Sequence, residues 1–360
     1  MITSVAPMLT GRRIVVCAGS GGVGKTTTAA ALAMGMAEHG LKVAVVTIDP
    51  AKRLADSLGL EELGNEPRLV DPARFSEHGV QITGELWALM LDSKRTFDAL
   101  IERLAPDAAT ADEVLSNRIY QQLSSAVAGS QEFTAIAKLY ELDQDGDYDL
   151  LVLDTPPSRN ALDFLDAPGR LTRFFQGRAI KMFLRPGTIV GRGASVVFGL
   201  MERLTGVDLL HDLSVFFRAL SGMVDGFTER AARVGLLLSD PGTTFLLVTA
   251  PRHDPIEEAI FFHGKLREAD MPFGALVVNR LHRPPEGNGK LPASLDDDLA
   301  RRVRTAADEL AALADREEHN LADLRARLGD PPTIVVPELD EDVHDVAGLA
   351  RIRAHLFADE

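Results

Sequence analysis

Residues 19–26 restrict the fold of this chain more than any other segment, because four glycines there precede a lysine and a threonine in the order Gly-Ser-Gly-Gly-Val-Gly-Lys-Thr. An apolar run precedes this segment at residues 14–18, and an alanine-rich, helix-forming run follows it at residues 27–38. A strand, a glycine loop and a helix in this order turn backbone N–H groups toward phosphate oxygens at the positive end of the helix. An ordinary glycine-rich turn would not need the Lys-Thr pair. The pattern therefore predicts a nucleotide-binding loop.

The last two residues of this phosphate loop have separate predicted roles. We expect Lys25 to contact the β- and γ-phosphates and to act in catalysis, and Thr26 to offer its hydroxyl to Mg²⁺. The predicted ligand is therefore ATP with Mg²⁺ rather than a free nucleotide. The expected nucleotide contacts are Gly19, Ser20, Gly21, Gly22, Val23, Gly24, Lys25, Thr26 and Thr27.

The overall charge and the cysteine content exclude several classes of protein. The 360 residues carry 38 basic and 53 acidic side chains, a net charge of −15, which argues against nucleic acid or an anionic membrane as the main partner. The one cysteine, Cys17, excludes internal disulfides and multi-cysteine metal sites, and its position in the first predicted strand indicates a buried apolar role. Residues 1–11 have no apolar core of signal-peptide length, and no 18-residue stretch is uninterrupted by polar residues. We therefore expect a cytoplasmic protein.

The apolar runs of the chain indicate an α/β fold. They are rich in Val, Leu and Ile and do not alternate with polar residues, as expected for strands that are buried on both faces. Helical patterns separate most of them, so we predict a mostly parallel sheet with helices on both faces, the fold of P-loop NTPases. The predicted strands are residues 13–18, 42–48, 85–91, 149–153, 244–249, 275–279 and 333–336.

Two intervals, residues 92–146 and 158–238, are too long for simple connections between strands, and both have helical patterns. We predict that they form a helical subdomain over the nucleotide face, within a single domain that spans residues 1–360. Residues 281–294 are rich in Pro and Gly and predict a loop. The charge-rich residues 296–328 predict a solvated surface helix.

Four polar or glycine residues follow the ends of predicted strands: Gly19, Asp49, Asp154 and Asn279. In parallel sheets the ligand lies beyond the carboxyl ends of the strands, so these residues can converge on one site. Asp49 could orient or deprotonate an attacking water, or it could cap a helix, since Asp before Pro commonly begins one. Asp154 has the position of a carboxylate that supports magnesium, and the stiff segment 155–158 after it could sense the γ-phosphate.

Five segments together resemble the arsenite-pump ATPase family, which also contains the eukaryotic ATPase that targets tail-anchored membrane proteins. The resemblance covers nearly the whole chain and is strongest to an actinobacterial subgroup named as anion-transporter ATPases. The segments are the phosphate loop, Ile48-Asp49-Pro50-Ala51-Lys52-Arg53-Leu54, Asp154-Thr155-Pro156-Pro157, Val278-Asn279-Arg280 and Val336-Pro337-Glu338-Leu339.

The resemblance implies an ATP hydrolase and assigns roles to its site residues. Asp49 would activate water and lie near the metal, and Asp154 would stand in the magnesium shell, both carboxylates acting through water. Asn279 and Pro337 would contact the nucleotide, Asn279 at adenine, and the segment after Pro337 would close over the base.

Two departures from the family bear on assembly and on substrate. Ser20 stands where family members usually carry a lysine that reaches the nucleotide of a dimer partner. This predicts a hetero-oligomer with a related subunit that keeps the lysine. Because the chain has one cysteine, it also lacks the thiols that bind arsenite in the pump ATPases, and the cysteine pair that bridges some targeting members through zinc.

Residues 167–201 contain no acidic residue, whereas basic and aromatic side chains alternate along them. This composition fits a surface for anionic lipid, an acidic partner or a client helix, and makes peripheral membrane association a second expectation for location. It also fits an ordinary surface helix with wet basic groups and buried aromatics.

The sequence favours an ATPase that works as a nucleotide-driven conformational switch for a membrane-related or client-targeting process. A nucleotide-gated binding module with little turnover alone remains open because of Ser20, and so does an arsenite or anion pump subunit, although the single cysteine disfavours it. A small-molecule kinase is less favoured, since nothing marks a pocket for a phosphate acceptor.

Overall fold

In the computed structural model the described residues are 1–49, 52–118, 120–121, 131–155, 216, 222–285 and 295–358. They contain one eight-stranded sheet in the order β3-β4-β2-β5-β1-β6-β7-β8. Every neighbouring pair is parallel except β3 with β4. The strands are β1 (Ile14–Ala18), β2 (Lys42–Thr47), β3 (Arg68–Leu69), β4 (Glu85–Met90), β5 (Leu150–Asp154), β6 (Thr243–Thr249), β7 (Phe273–Leu281) and β8 (Thr333–Pro337).

Helices connect most of these strands. In chain order they are α1 (Ala6–Leu9), α2 (Lys25–Glu38), α3 (Arg53–Ser57), α4 (Ala73–Ser76), α5 (Ser93–Leu104), α6 (Ala108–Ser116), α7 (Gln131–Asp145), α8 (Val224–Ser239), α9 (His253–Glu268), α10 (Asp297–Leu328) and α11 (Val346–Leu356). Within the described part of the chain, no helix is both long enough and apolar enough to cross a membrane.

Successive side chains of the central strands enter two separate hydrophobic cores, one on each face of the sheet. In β1, Val15 and Cys17 point to the first core, whereas Ile14 and Val16 point to the second. All five residues of β1 are buried, which explains why these strands read as continuous apolar runs rather than alternating ones. The predicted buried role of Cys17 is confirmed.

The first core lies between the sheet and helices α1 to α4 and α11. Its centre is α2, whose small alanine side chains allow close packing against the strands. A Cβ atom on Gly35 would lie 2.2 Å from Cε2 of Phe357, so only glycine permits α2 to approach the end of α11 this closely. This tight packing holds in place the helix that begins at the phosphate loop.

The second core lies between the opposite face of the sheet and helices α5 to α10. The described helices of the interval 92–146, together with α8, pack by their apolar side chains on this face. Most of the interval 158–238 lies outside the described residues. The assignment of both intervals to a helical subdomain, and of residues 1–360 to one domain, therefore stays a prediction.

The seven strands predicted from apolar runs are present, and the α/β class is confirmed. The sequence missed β3, because Arg68 and Leu69 are both exposed and leave no hydrophobic signal. The predicted helix at 296–328 is α10, capped by the side chain of Asp296 at its start and by Gly329, with φ +81°, at its end. It is solvated only in part, since the second half of α10 buries Leu321 and other side chains.

Candidate functional site

The phosphate loop fills the short connection from β1 to α2, and its glycines are required by geometry. A Cβ atom on Gly19, where φ is +152°, would lie 2.0 Å from the carbonyl oxygen of Val248 in β6. On Gly24, where φ is +92°, it would lie 2.2 Å from Nδ2 of Asn279. The loop is therefore fitted between the ends of β6 and β7, and a side chain at either glycine would displace it.

Lys25, the first residue of α2, lies across the curve of the loop. Its Nζ donates a hydrogen bond of 2.8 Å to the carbonyl oxygen of Ser20, and the residue is only 6% exposed. Burial lowers the pKa of Lys25, and the carboxylates of Asp154 and Asp49 oppose this effect. The ammonium group is thus held inside the loop, where it can meet a phosphate group.

Asp154 ends β5 in the middle of the sheet, in register with Cys17 of β1 and Thr47 of β2. Its Oδ2 accepts hydrogen bonds from Thr26 Oγ1 at 2.7 Å and from Thr47 Oγ1 at 2.8 Å. Burial raises the pKa of Asp154 to about 6, although both threonine hydroxyls and the charge of Lys25 act to lower it. The two hydrogen bonds fix the side chain in position.

The second oxygen of this carboxylate, Oδ1, is buried and has no hydrogen-bond partner among the described residues. A buried acceptor without a partner is costly and points to a group that the protein itself does not supply. The hydroxyl of Thr26 and the carboxylate of Asp154 are hard oxygen ligands, the kind that Mg²⁺ takes together with phosphates and water. These residues fit a magnesium ion.

Asp49 follows β2 and is partly buried at the same edge of the sheet. Its backbone N–H donates to Thr47 Oγ1 at 3.2 Å, and its charge acts on both Lys25 and Asp154. Asp49 is not the N-cap of α3, because α3 begins at Arg53 and its N-cap is Lys52. Asp49 stands close to the phosphate loop, and its action on water stays a prediction.

Asn279 lies in β7 and is nearly buried against the loop. Its Nδ2 donates to the carbonyl oxygen of Val23 at 2.9 Å, and its Oδ1 accepts from the backbone N–H of Arg280 at 3.0 Å. Arg280 has φ +64°, so this second bond also holds an unusual backbone conformation in place. The contact that the structure gives to Asn279 is with the loop itself; the predicted contact with adenine stays a prediction.

Two cavities border the phosphate loop. One has a volume of about 360 Å³, and its lining includes Gly24, Thr27, Asn279, Arg280 and Pro337. The structure thus places Asn279 and Pro337, which are 58 positions apart in sequence, beside the same space.

The second cavity has a volume of about 450 Å³ and lies between the loop and the start of α9. Ser20 and Gly21 form one wall, and Arg252 and Glu258 contribute to the other. The Glu258 carboxylate acts on Lys25 and opposes the lowering of its pKa by burial.

Sequence reasoning missed one threonine of the site. Thr47 is buried and hydrogen-bonds to Asp154, and its place near the carboxyl end of a predicted strand is the signal that could have identified it. Thr155, the first residue of the predicted sensor segment 155–158, donates from Oγ1 to the carbonyl oxygen of Cys17 at 2.8 Å. Residues 156–158, predicted to sense the γ-phosphate, and the basic segment 167–201 lie outside the described residues.

The sequence model of the anion-transporting ATPase family matches residues 12–293. This chain belongs to that family. Among its relatives, ATPase GET3C of Arabidopsis thaliana is 28% identical over 78% of this chain and 69% of its own length. ATPase GET3 of Malassezia globosa is 25% identical over 95% of this chain and 90% of its own, and a putative arsenical pump-driving ATPase of Aquifex aeolicus is 23% identical over 97% and 79%.

These relatives are named as ATPases, and the chain is an ATP hydrolase of the P-loop type. The resemblance to the arsenite-pump and tail-anchored-protein targeting ATPases is confirmed. The loop, Asp49, Asp154 and Asn279 meet at one edge of the sheet of this ATPase.

Proposed function

We propose that this ATPase binds Mg-ATP at the phosphate loop. Hydrolysis of the ATP then switches the conformation of the protein in a client-targeting or membrane-related process. The observation that carries the magnesium and phosphate assignment is Asp154, whose Oδ2 is held by Thr26 and Thr47 while its buried Oδ1 has no partner among the described residues. A carboxylate in this state beside a phosphate loop is suited to a hydrated magnesium ion.

Each charged group of the site then has a role in hydrolysis. Lys25 neutralises the β- and γ-phosphates. Thr26 and Asp154 would hold the metal, the carboxylate through water. Magnesium, when bound, offsets the charge that develops on the phosphate oxygens. Asp49, close to both Lys25 and Asp154, orients or deprotonates the attacking water.

The 360 Å³ cavity is the proposed place for the nucleoside. Asn279 keeps one amide hydrogen and one lone pair beyond the bonds that it makes to Val23 and Arg280, and these are available to adenine. Pro337 ends β8, also lines this cavity, and leads into the segment that would close over the base.

The partner and the location are also proposals. Ser20 lacks the ammonium group that would reach a partner's nucleotide, which supports assembly with a related subunit that keeps the lysine. Residues 167–201 would meet a membrane protein or a client helix, in the cytoplasm or at the membrane surface. Arsenite as the cargo is disfavoured, because Cys17 is buried and burial raises its pKa, so the chain offers no thiolate cluster.

Two variants test the chemistry. Lys25→Ala should abolish ATP binding in calorimetry, and Asp49→Asn should keep ATP affinity but lose most hydrolysis, since the amide is nearly isosteric and cannot accept a proton. The matched control is Asp71→Asn. Asp71 is an exposed aspartate whose Oδ1 accepts a hydrogen bond from the N–H of Ala73, and this variant should hydrolyse ATP normally. Normal turnover by Asp49→Asn would remove this residue from the mechanism.

The alternative function, a nucleotide-gated binding module with little turnover alone, is favoured by Ser20. It is separated from the main proposal by measuring ATP hydrolysis of the purified chain with and without a lysine-bearing subunit. A chain that binds ATP but does not hydrolyse it in either mixture would be such a module.

A further inference from the structure

Three basic side chains from three helices surround one carboxylate on the sheet face that carries α5, α7 and α8. The carboxylate is Glu141 of α7, and it lies 3.0 Å from Nζ of Lys138. It also lies 3.5 Å from Nη1 of Arg103 in α5 and 3.9 Å from Nη2 of Arg230 in α8. Within the described residues, three cations share one carboxylate, which leaves an excess of two positive charges.

Two of these cations are largely removed from water. The side chains of Lys138 and Arg230 are 10% and 13% exposed. The guanidinium of Arg230 stacks 5.4 Å from the ring centre of Tyr140, and its buried Nε has no hydrogen-bond partner in the described part of the chain. Burial, followed by repulsion from Arg103, lowers the pKa of Arg230. Positive charge held in low dielectric without full compensation is unfavourable and attracts an anion.

The cluster is well separated from the nucleotide. Asp143, two residues beyond Glu141, pairs with Arg13, which directly precedes β1. The phosphate loop follows the other end of β1, so Glu141 lies toward the opposite, amino edge of the sheet. The cluster is therefore not a part of the ATP site.

We propose that Arg103, Lys138 and Arg230 form a binding site for a phosphate dianion, either free phosphate or a phosphate monoester. The excess of two positive charges matches the charge of phosphate near neutral pH, which is about −1.5 to −2 for a monoester. The free Nε of Arg230 and the fork of Arg103 supply donors suited to phosphate oxygens. Glu141 keeps the three cations together and competes with the ligand for them.

The test is calorimetric titration of the full chain with inorganic phosphate. It is made in the Lys25→Ala background, which removes phosphate binding at the nucleotide site. Arg230→Met should weaken phosphate binding about tenfold or more, since it removes a charged hydrogen-bond donor. Its matched control is Arg233→Met, one turn further along α8, because Arg233 is exposed and paired with Glu229.

For a second variant we expect a change of phosphate affinity in the opposite direction. Glu141→Gln removes the competing carboxylate and should tighten phosphate binding, whereas a merely structural ion-pair cluster would show no phosphate effect in either variant. A parallel titration with glycerol 2-phosphate identifies the source: comparable affinity indicates a monoester, and loss of binding indicates free phosphate. Absence of saturable phosphate binding in the Lys25→Ala background, or equal effects of Arg230→Met and Arg233→Met, would overturn the proposal.

Discussion

Removal of the Asn279 side chain should weaken both the fold and the binding of ATP. Asn279→Ala loses the 2.9 Å bond to the Val23 carbonyl and the 3.0 Å bond from the Arg280 N–H. Each lost bond costs about 1 kcal/mol, and a buried group left without a partner costs about 1–3 kcal/mol. Val23 is fully buried, so we expect the free energy of unfolding to fall by about 2–4 kcal/mol.

Urea unfolding measures this loss, and Asn65→Ala is the matched control. Asn65 also accepts two hydrogen bonds, from Asp92 N and Thr96 Oγ1, but it lies away from the loop. Both variants should lose stability, whereas only Asn279→Ala should lose affinity for Mg-ATP and also for Mg-tripolyphosphate, which has no base. Unchanged tripolyphosphate binding would refute the idea that Asn279 acts through the loop, and would assign it to adenine alone.

Three further predictions concern the same edge of the sheet. Gly24→Ala should reduce ATP affinity more than Gly22→Ala, because a methyl group on Gly24 would meet Asn279. A methyl group on Gly22 has nothing within 4 Å and adds only the strain of the positive φ. Equal ATP binding by both variants would contradict this prediction. Burial raises the pKa of Asp154 from 3.8 to about 6, so without magnesium the folded state keeps a proton that the unfolded state releases. The free energy of unfolding should therefore fall by roughly 3 kcal/mol as pH rises from about 4 to 6. Asp154→Asn should lack this pH dependence in unfolding experiments. A related subunit that carries the lysine should raise the rate of ATP hydrolysis by roughly 10³-fold, by analogy with a cationic finger, and Ser20→Lys should raise the rate of the single chain. Full-rate hydrolysis by the unmodified chain alone would show that the lysine is dispensable.

The secondary structure could be predicted from the sequence because the patterns that indicate it are local. A strand buried on both faces requires a continuous apolar run, and a phosphate loop requires glycines followed by Lys25 and Thr26 at fixed spacing. In each signal, the residues that carry it lie within a few positions of one another in the sequence. The two-residue strand β3 carries no such signal, because its side chains are exposed and its pairing depends on β4 alone.

The composition of the site depended on which strands become neighbours. Thr47 and Asp154 are 107 positions apart, and only the pairing of β2 with β5 brings their side chains together. Likewise, Asn279 meets Val23 across 256 positions because β7 lies near the loop. Strand order is set by the packing of both cores at once, which no local pattern encodes.

By itself the sequence determined the strands, the phosphate loop and the chemistry of a nucleotide site, since each of these needs particular residue types at short spacing. The tertiary structure alone decided that Lys52 rather than Asp49 is the N-cap of α3, that Asn279 holds the loop, and that the helices of the interval 92–146 cover a face of the sheet. It also gathered the cations around Glu141 from three separate helices. These outcomes depend on contacts between residues far apart in the chain, and packing of the whole sheet, rather than any local preference, selects them.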